Sequence, residues 1–277
     1  MIDYLLALAT VTLAWWLSTG VVLLLNRQSP VWQRGSMLAV TALALLSLVY
    51  LPERAQDRSA AGALIGFGQG LMIWAWLEMT YLMGLITGPR KTPCPADAST
   101  SARFWLGLQT SLYHELMVIA LVLAVLMLAG SGPNQVAAAT FVSLWLMRWS
   151  AKLNLFLGVR NYNRDWFPRH LQYLDSYTRR APMNLLFPLS VTAGTAAAVL
   201  LLTQAMSTTD PFLRSADLLV SALLSLAVLE HWFLMYPFGE SALWSWALTP
   251  GKKQAKSLTS VHRMDVPIDV PGKAGHP

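Results

Sequence analysis

Seven times along the chain an apolar stretch rises to roughly the length of a membrane crossing, with short segments rich in proline, glycine and arginine in between. A bilayer's hydrocarbon is about 30 Å thick, so a helix rising 1.5 Å per residue needs about 20 apolar residues to cross it. The chain is therefore read as all-α, a polytopic transmembrane bundle of about seven spans. These are expected near residues 3–25, 35–51, 62–86, 108–129, 134–158, 184–206 and 213–236. Helix breakers fall at the proposed ends: Ser29-Pro30, Leu51-Pro52, Gly88-Pro89, Gly130-Ser131-Gly132-Pro133, Asp210-Pro211 and Tyr236-Pro237.

Composition points the same way. Hydrophobic residues make up 55% and charged residues 12%, whereas soluble domains carry about a quarter charged residues. A net charge of +6 could suggest nucleic acid, but most of the basic residues sit in loops beside apolar runs. Membrane lipids, and no nucleic acid, are the expected contacts. Asp3 stands where a signal peptide would carry a cationic region, and Tyr4 to Leu25 is too long for its apolar core, so this stretch reads as a retained first helix. Cys94 is the single cysteine and reads as a free thiol.

The charge distribution sets a direction. With the N-terminus outside, fifteen of the 20 lysines and arginines lie in inward segments and three (Arg54, Arg58 and Arg214) in outward ones. Cytoplasmic loops hold the excess of positive charge, so the expected topology is N-out and C-in. Residues 1–250 form the membrane domain. Within it, Phe167, Leu171, Leu174 and Tyr177 recur at helical spacing and predict an interfacial helix near 166–180, its arginines toward lipid phosphate. Trp244 and Trp246 read as an interfacial anchor, and 251–277 as a polar, disordered cytoplasmic tail.

Seven ionisable residues lie inside the spans: Glu78, His114, Glu115, Arg148, Lys152, Glu230 and His231. Each charge costs roughly 2.5–3.5 kcal/mol at the bilayer centre on insertion scales, so such groups face protein and find partners. Counted from the expected helix ends, all seven fall within about 9–15 Å of the cytoplasmic side. Arg148 and Lys152 are four apart and share a helix face. Two cations can thus meet three carboxylates, either as an ion-pair network that fixes packing or as a functional cluster, with one carboxylate left over. His114 and His231 are candidate cofactor-binding residues, since an imidazole inside an apolar helix can ligate the magnesium of a bacteriochlorophyll. A hydrogen bond to a carbonyl or carboxylate is the commoner use of such a histidine.

No catalytic residues are assigned. Glu78, Glu115, Glu230 and the two histidines supply atoms for a dimetal site, but the neighbouring His-Glu and Glu-His pairs lack the Glu-x-x-His spacing of carboxylate-bridged centres. Hydrolase, zincin and P-loop sequences do not occur. Gly62, Gly66 and Gly70 stand at the spacing that lets helix backbones approach closely.

The segments Gly-Pro-Arg-Lys-Thr-Pro-Cys-Pro (88–95), Ser-Leu-Tyr-His-Glu-Leu (111–116), Lys-Leu-Asn-Leu-Phe-Leu-Gly-Val-Arg-Asn (152–161), Met-Asn-Leu-Leu-Phe-Pro-Leu-Ser-Val (183–191) and Leu-Glu-His-Trp-Phe-Leu (229–234) resemble the PuhE family of phototrophic bacteria. The resemblance runs through most of the chain and is weakest before position 60 and after 250. It implies a non-catalytic inner-membrane factor for photosynthetic complex assembly. Its expected partners are reaction-centre or light-harvesting subunits and other assembly factors, with bacteriochlorophyll as the candidate cofactor. The runner-up is a membrane-embedded metalloenzyme acting on a pigment or lipid precursor.

Overall fold

The structure is a computed structural model that describes residues 2–162, 168–236 and 243–248. Seven long helices follow one another: α1 (Ile2–Leu25), α2 (Pro30–Arg54), α3 (Ala60–Leu82), α4 (Thr100–Ala129), α5 (Val136–Leu157), α6 (Leu186–Ser207) and α7 (Pro211–Phe233). A 3-10 segment, η1 (Arg169–Tyr177), precedes α6, and a single turn, α8 (Ser245–Leu248), follows α7. Among the described residues there is no β-strand, only an isolated bridge between Val159 and Arg180. The architecture is a polytopic helix bundle, the form that lets apolar segments satisfy their own backbone groups inside lipid.

Local chemistry sets the helix ends. Side chains of Ser59, Ser99 and Asp210 accept backbone N–H bonds at the starts of α3, α4 and α7, and Pro30 and Pro211 occupy first-turn positions. Gly130 and Gly158, with φ of 50° and 124°, end α4 and α5 in backbone that other residues rarely adopt. Among the ends that differ from expectation, two have a clear local cause. Pro52 is accommodated inside the last turn of α2, so that helix runs on to Arg54. The Ser99 cap starts α4 two turns before the apolar run does.

Six of the seven helices are long and apolar enough to cross a membrane; α5 is the exception. Its final turns carry Arg148, Ser150, Lys152 and Asn154, which lower its hydropathy below that of a free-standing span. Its position explains how it tolerates them, because α3, α4, α6 and α7 all pack against it. Helices α3, α5 and α7 form the centre. About half of the apolar window of α3 and 56% of that of α7 is buried, against 11% in α2 and 17% in α1 and α6. The outer helices leave leucine-rich faces open, such as Leu5, Leu38, Leu126 and Leu200, as lipid contact requires.

Lipid gives no hydrophobic drive between helices, so close packing must hold the centre together. Gly66 and Gly70 provide it between α3 and α5: a Cβ on Gly70 would come within 2.6 Å of the Ala137 carbonyl oxygen and 2.9 Å of Thr140 Cβ. Trp74 and Phe141 meet edge-on beside them, 5.5 Å between centroids. One end of the bundle is tied by Asn134, which is 3% exposed. Its Nδ2 lies 2.9–3.3 Å from the carbonyl oxygens of Arg54, Asp57 and Gly62, while its Oδ1 accepts from Val136 N.

The opposite end is capped by chain that follows α3, α5 and α7. The loop after α3 lies against α4, where Arg90 N donates to the Gln109 carbonyl and His114 N to that of Thr87. Tyr177 of η1 accepts from Arg90 Nε at 2.5 Å and donates to the Thr92 carbonyl; Cys94 N donates to Ser176 Oγ. Leu171, Leu174 and Tyr177 are buried, three apart as 3-10 geometry requires. Leu171 and Leu174 pack on Tyr81 and Leu82. The expected interfacial helix is thus, in its described part, a 3-10 segment whose apolar side is taken by protein; residues 163–167 lie outside the described residues, as does the tail 251–277. Trp244 also differs from expectation. It is 1% exposed, stacks edge-on against Trp15 and donates to the Trp16 carbonyl, so it is core and no interfacial anchor. Trp246 stays 42% exposed beside Trp16.

Candidate functional site

The intramembrane polar residues gather around two turns of α5. Arg148 Nη2 donates to Glu78 Oε2 on α3 at 3.1 Å. Trp149 Nε1 and Lys152 Nζ both donate to Glu115 on α4, each at 2.6 Å and each to a different carboxylate oxygen. Ser150 Oγ lies 2.8 Å from His231 Nε2 on α7. Asn154, fully buried, donates to Ser190 Oγ on α6. A segment of seven residues thus makes a polar contact with each of four surrounding helices. Helical periodicity explains it: side chains 100° apart along α5 point in turn to different neighbours.

The i, i+4 pair divides its work. Arg148 and Lys152 share a face, yet one serves α3 and the other α4. Beside Lys152 lies the Tyr81 ring, its centroid 5.2 Å from Nζ, with the His114 ring 4.6 Å away on a tilted plane. Glu115 is 6% exposed, so its negative charge is offset inside protein by an ammonium and an indole N–H. Arg148 Nε and Glu78 Oε1 are buried with no hydrogen-bond partner.

The third carboxylate is Glu230. It forms no ion pair among the described residues and accepts a 2.6 Å bond from Trp15 Nε1 on α1. It is exposed beside α1, with Arg148 and Glu78 within electrostatic reach. Trp15 stands about 15 Å from the end of α1, whereas Glu230 is one turn from the end of α7. The contacts with residues 148–152 of α5 set Glu78, Glu115 and His231 at one level, but the count from the helix ends changes helix by helix. Glu78, Arg148, Lys152, Glu230 and His231 lie about 3–14 Å from the actual ends of α3, α5 and α7, and His114 lies about 21 Å from the start of α4. Helices α3 and α7 stop earlier than their apolar runs suggest, and α4 begins sooner.

The two histidines stand differently toward a pigment. His231 Nδ1 is 2.8 Å from the Ala227 carbonyl, which accepts only if Nδ1 carries the proton. Nε2 is then the acceptor of the Ser150 hydroxyl, and the ring is 2% exposed, leaving no nitrogen free for an axial bond. His114 is 1% exposed, its ring packs on Tyr81 at an interplanar angle of 50°, and its Nδ1 is buried without a hydrogen-bond partner. The geometry thus closes His231 to axial ligation, while His114 keeps one unpartnered ring nitrogen. Replacing His231 with Leu should leave any co-purifying pigment unchanged and lower stability by about 1–3 kcal/mol, because Ser150 loses its acceptor. Pigment absorbance and thermal unfolding of the same preparation would show both.

Nor is a metal-binding set assembled. Glu78, Glu115 and Glu230 go to separate partners, and no group of three or more ligating side chains converges among the described residues. The sequence reading missed the neutral joints. Asn184 Oδ1 caps the first turn of α6 while its Nδ2 reaches the Asn154 and Gly158 carbonyls; Asn161 Nδ2 reaches those of Phe233 and Tyr236 at the end of α7. An asparagine just before an apolar run is a capping signal, and a search for ionisable groups passes it by.

Comparison with known proteins adds a family and one relative. Residues 1–255 match the family DUF3623, described as a protein of unknown function. The chain is 34% identical over 269 residues to the "Uncharacterized 30.4 kDa protein in puhA 5'region" of Rhodobacter capsulatus, an alignment covering 96% of this chain and 98% of that one. No solved structure matches.

Proposed function

We propose, for a chain that belongs to the DUF3623 family, a role as an integral membrane factor in photosynthesis that helps assemble the reaction centre and its light-harvesting complex. The observation that carries this reading is near full-length similarity to a protein named for its place beside puhA, together with the resemblance of five segments to the PuhE family. The geometry supports a non-catalytic part. The polar groups inside the bundle are mostly engaged with one another, which suits a scaffold whose outer faces meet other membrane helices. Those faces are extensive, since α1, α2 and α6 each bury under a fifth of their apolar windows. The protein would sit in the bacterial inner membrane with the capped end cytoplasmic, following the positive-inside bias. Bacteriochlorophyll handling in this role would not run through His231, whose two ring nitrogens are engaged.

The test is removal of the chain from a phototrophic host. Assembled reaction-centre complex should fall several-fold while free bacteriochlorophyll continues to be made, and affinity-tagged protein should retain reaction-centre or light-harvesting subunits. Unchanged complex levels would overturn the proposal. Loss of pigment synthesis itself would favour the enzyme reading.

A further inference from the structure

The capped end carries a second, unrelated polar feature. A cavity of about 390 Å³ opens between the loop after α3, the start of α4 and η1, with Cys94, Thr100, Arg103, Ser176 and Arg179 in its walls. No carboxylate lines it, and neither arginine makes an ion pair among the described residues. Arg103 is held in place by other means: it lies 4.7 Å from the centroid of the Phe156 ring and gives one N–H to the Phe156 carbonyl at 3.3 Å. Its Nε is buried and has no partner. Arg179 is anchored through its backbone to Leu155 and Val159, with an exposed side chain.

Two like charges lining one cavity repel unless an anion sits between them. Helix α4 adds to the field. Ser99 Oγ takes the N–H of Ala102, which leaves the N–H groups of Thr100 and Ser101 at the positive end of a 30-residue helix. Guanidinium forks match the paired oxygens of a phosphate better than they match a single-atom anion such as chloride. We propose that this cavity binds a phosphate group, either on an anionic phospholipid headgroup or as the free ion. Both sources share the chemistry, and the position beside the ends of α3 and α5 puts the cavity at headgroup level.

The purified full-length protein should bind fluorescent phosphatidylglycerol more tightly than phosphatidylcholine. Arg103→Gln and Arg179→Gln should each weaken that binding roughly tenfold, the size expected for one charge-assisted hydrogen bond. Arg169→Gln makes the same charge change on η1 outside the cavity and should leave affinity unaltered. If Arg103→Gln unfolds the protein through its Phe156 contact, the exposed Arg179 decides alone. Inorganic phosphate that binds without lipid, and is lost with Arg179→Gln, assigns the free ion as the source; preference for the lipid assigns the headgroup. Equal weakening in all three variants, or binding of neither probe, overturns the proposal.

Discussion

Lys152→Met should lower the unfolding free energy by about 3–5 kcal/mol, the usual cost of stripping a buried ion of its partner. The lysine is only partly covered, with 28% of its side chain exposed, but Glu115 is nearly enclosed at 8%. Without the ammonium, that carboxylate keeps only the Trp149 N–H. Adding Glu115→Gln to the same protein should recover most of the loss, because a neutral amide in that place can still accept from Trp149 and needs no cation. Unfolding of the single and double variants in one detergent, followed by tryptophan fluorescence or circular dichroism, gives the coupling directly. A single-variant loss below about 1 kcal/mol would place the pair among weak surface bridges.

The second large effect is expected at Gly88. A Cβ there would collide with the Gln109 carbonyl oxygen, with Thr110 C 2.6 Å and Ser111 N 2.8 Å away. All three are backbone atoms of α4, so nothing can rotate aside, and overpacking of this kind costs about 1–3 kcal/mol or more. Gly88→Ala should lift the loop after α3 away from α4 and weaken its bonds from Arg90 to Tyr177 and from Cys94 to Ser176. Trypsin cleavage after Arg90 and Lys91 is the readout. It should become at least about tenfold faster, since cleavage follows the population of the opened state. Wild-type cleavage rates would show that the close approach at Gly88 carries no weight.

Helix number and approximate placement were legible because apolar length and Pro/Gly punctuation are properties of short stretches of chain. The end-caps were partly legible: Asp210-Pro211 reads as a start and begins α7. The pairing of charges was less so. Spacing put Arg148 and Lys152 on one face, but whether each turns to α3, α4 or α7 depends on how the helices are arranged laterally, which no single helix encodes. That one of three carboxylates would lack a cation followed from counting; that it is Glu230, with Trp15 as its donor, did not. His231 misled for a physical reason. A ring inside an apolar helix looks available until its neighbours are known, and His231 is closed by a serine on another helix and a carbonyl one turn back on its own. Trp244 misled likewise, since a tryptophan near a helix end serves equally as anchor or as core.

In this reading the charges around α5 hold the bundle together, while partner binding is the work of its outer faces. The most direct measurement is the amount of assembled photosynthetic complex per unit of this protein in phototrophic cells carrying Lys152→Met alone or together with Glu115→Gln. The account predicts that Lys152→Met lowers protein and complex in proportion, and that the double variant restores both. Restored protein with complex still missing would contradict it, because Glu115 and Lys152 would then be acting on a partner and not on the fold.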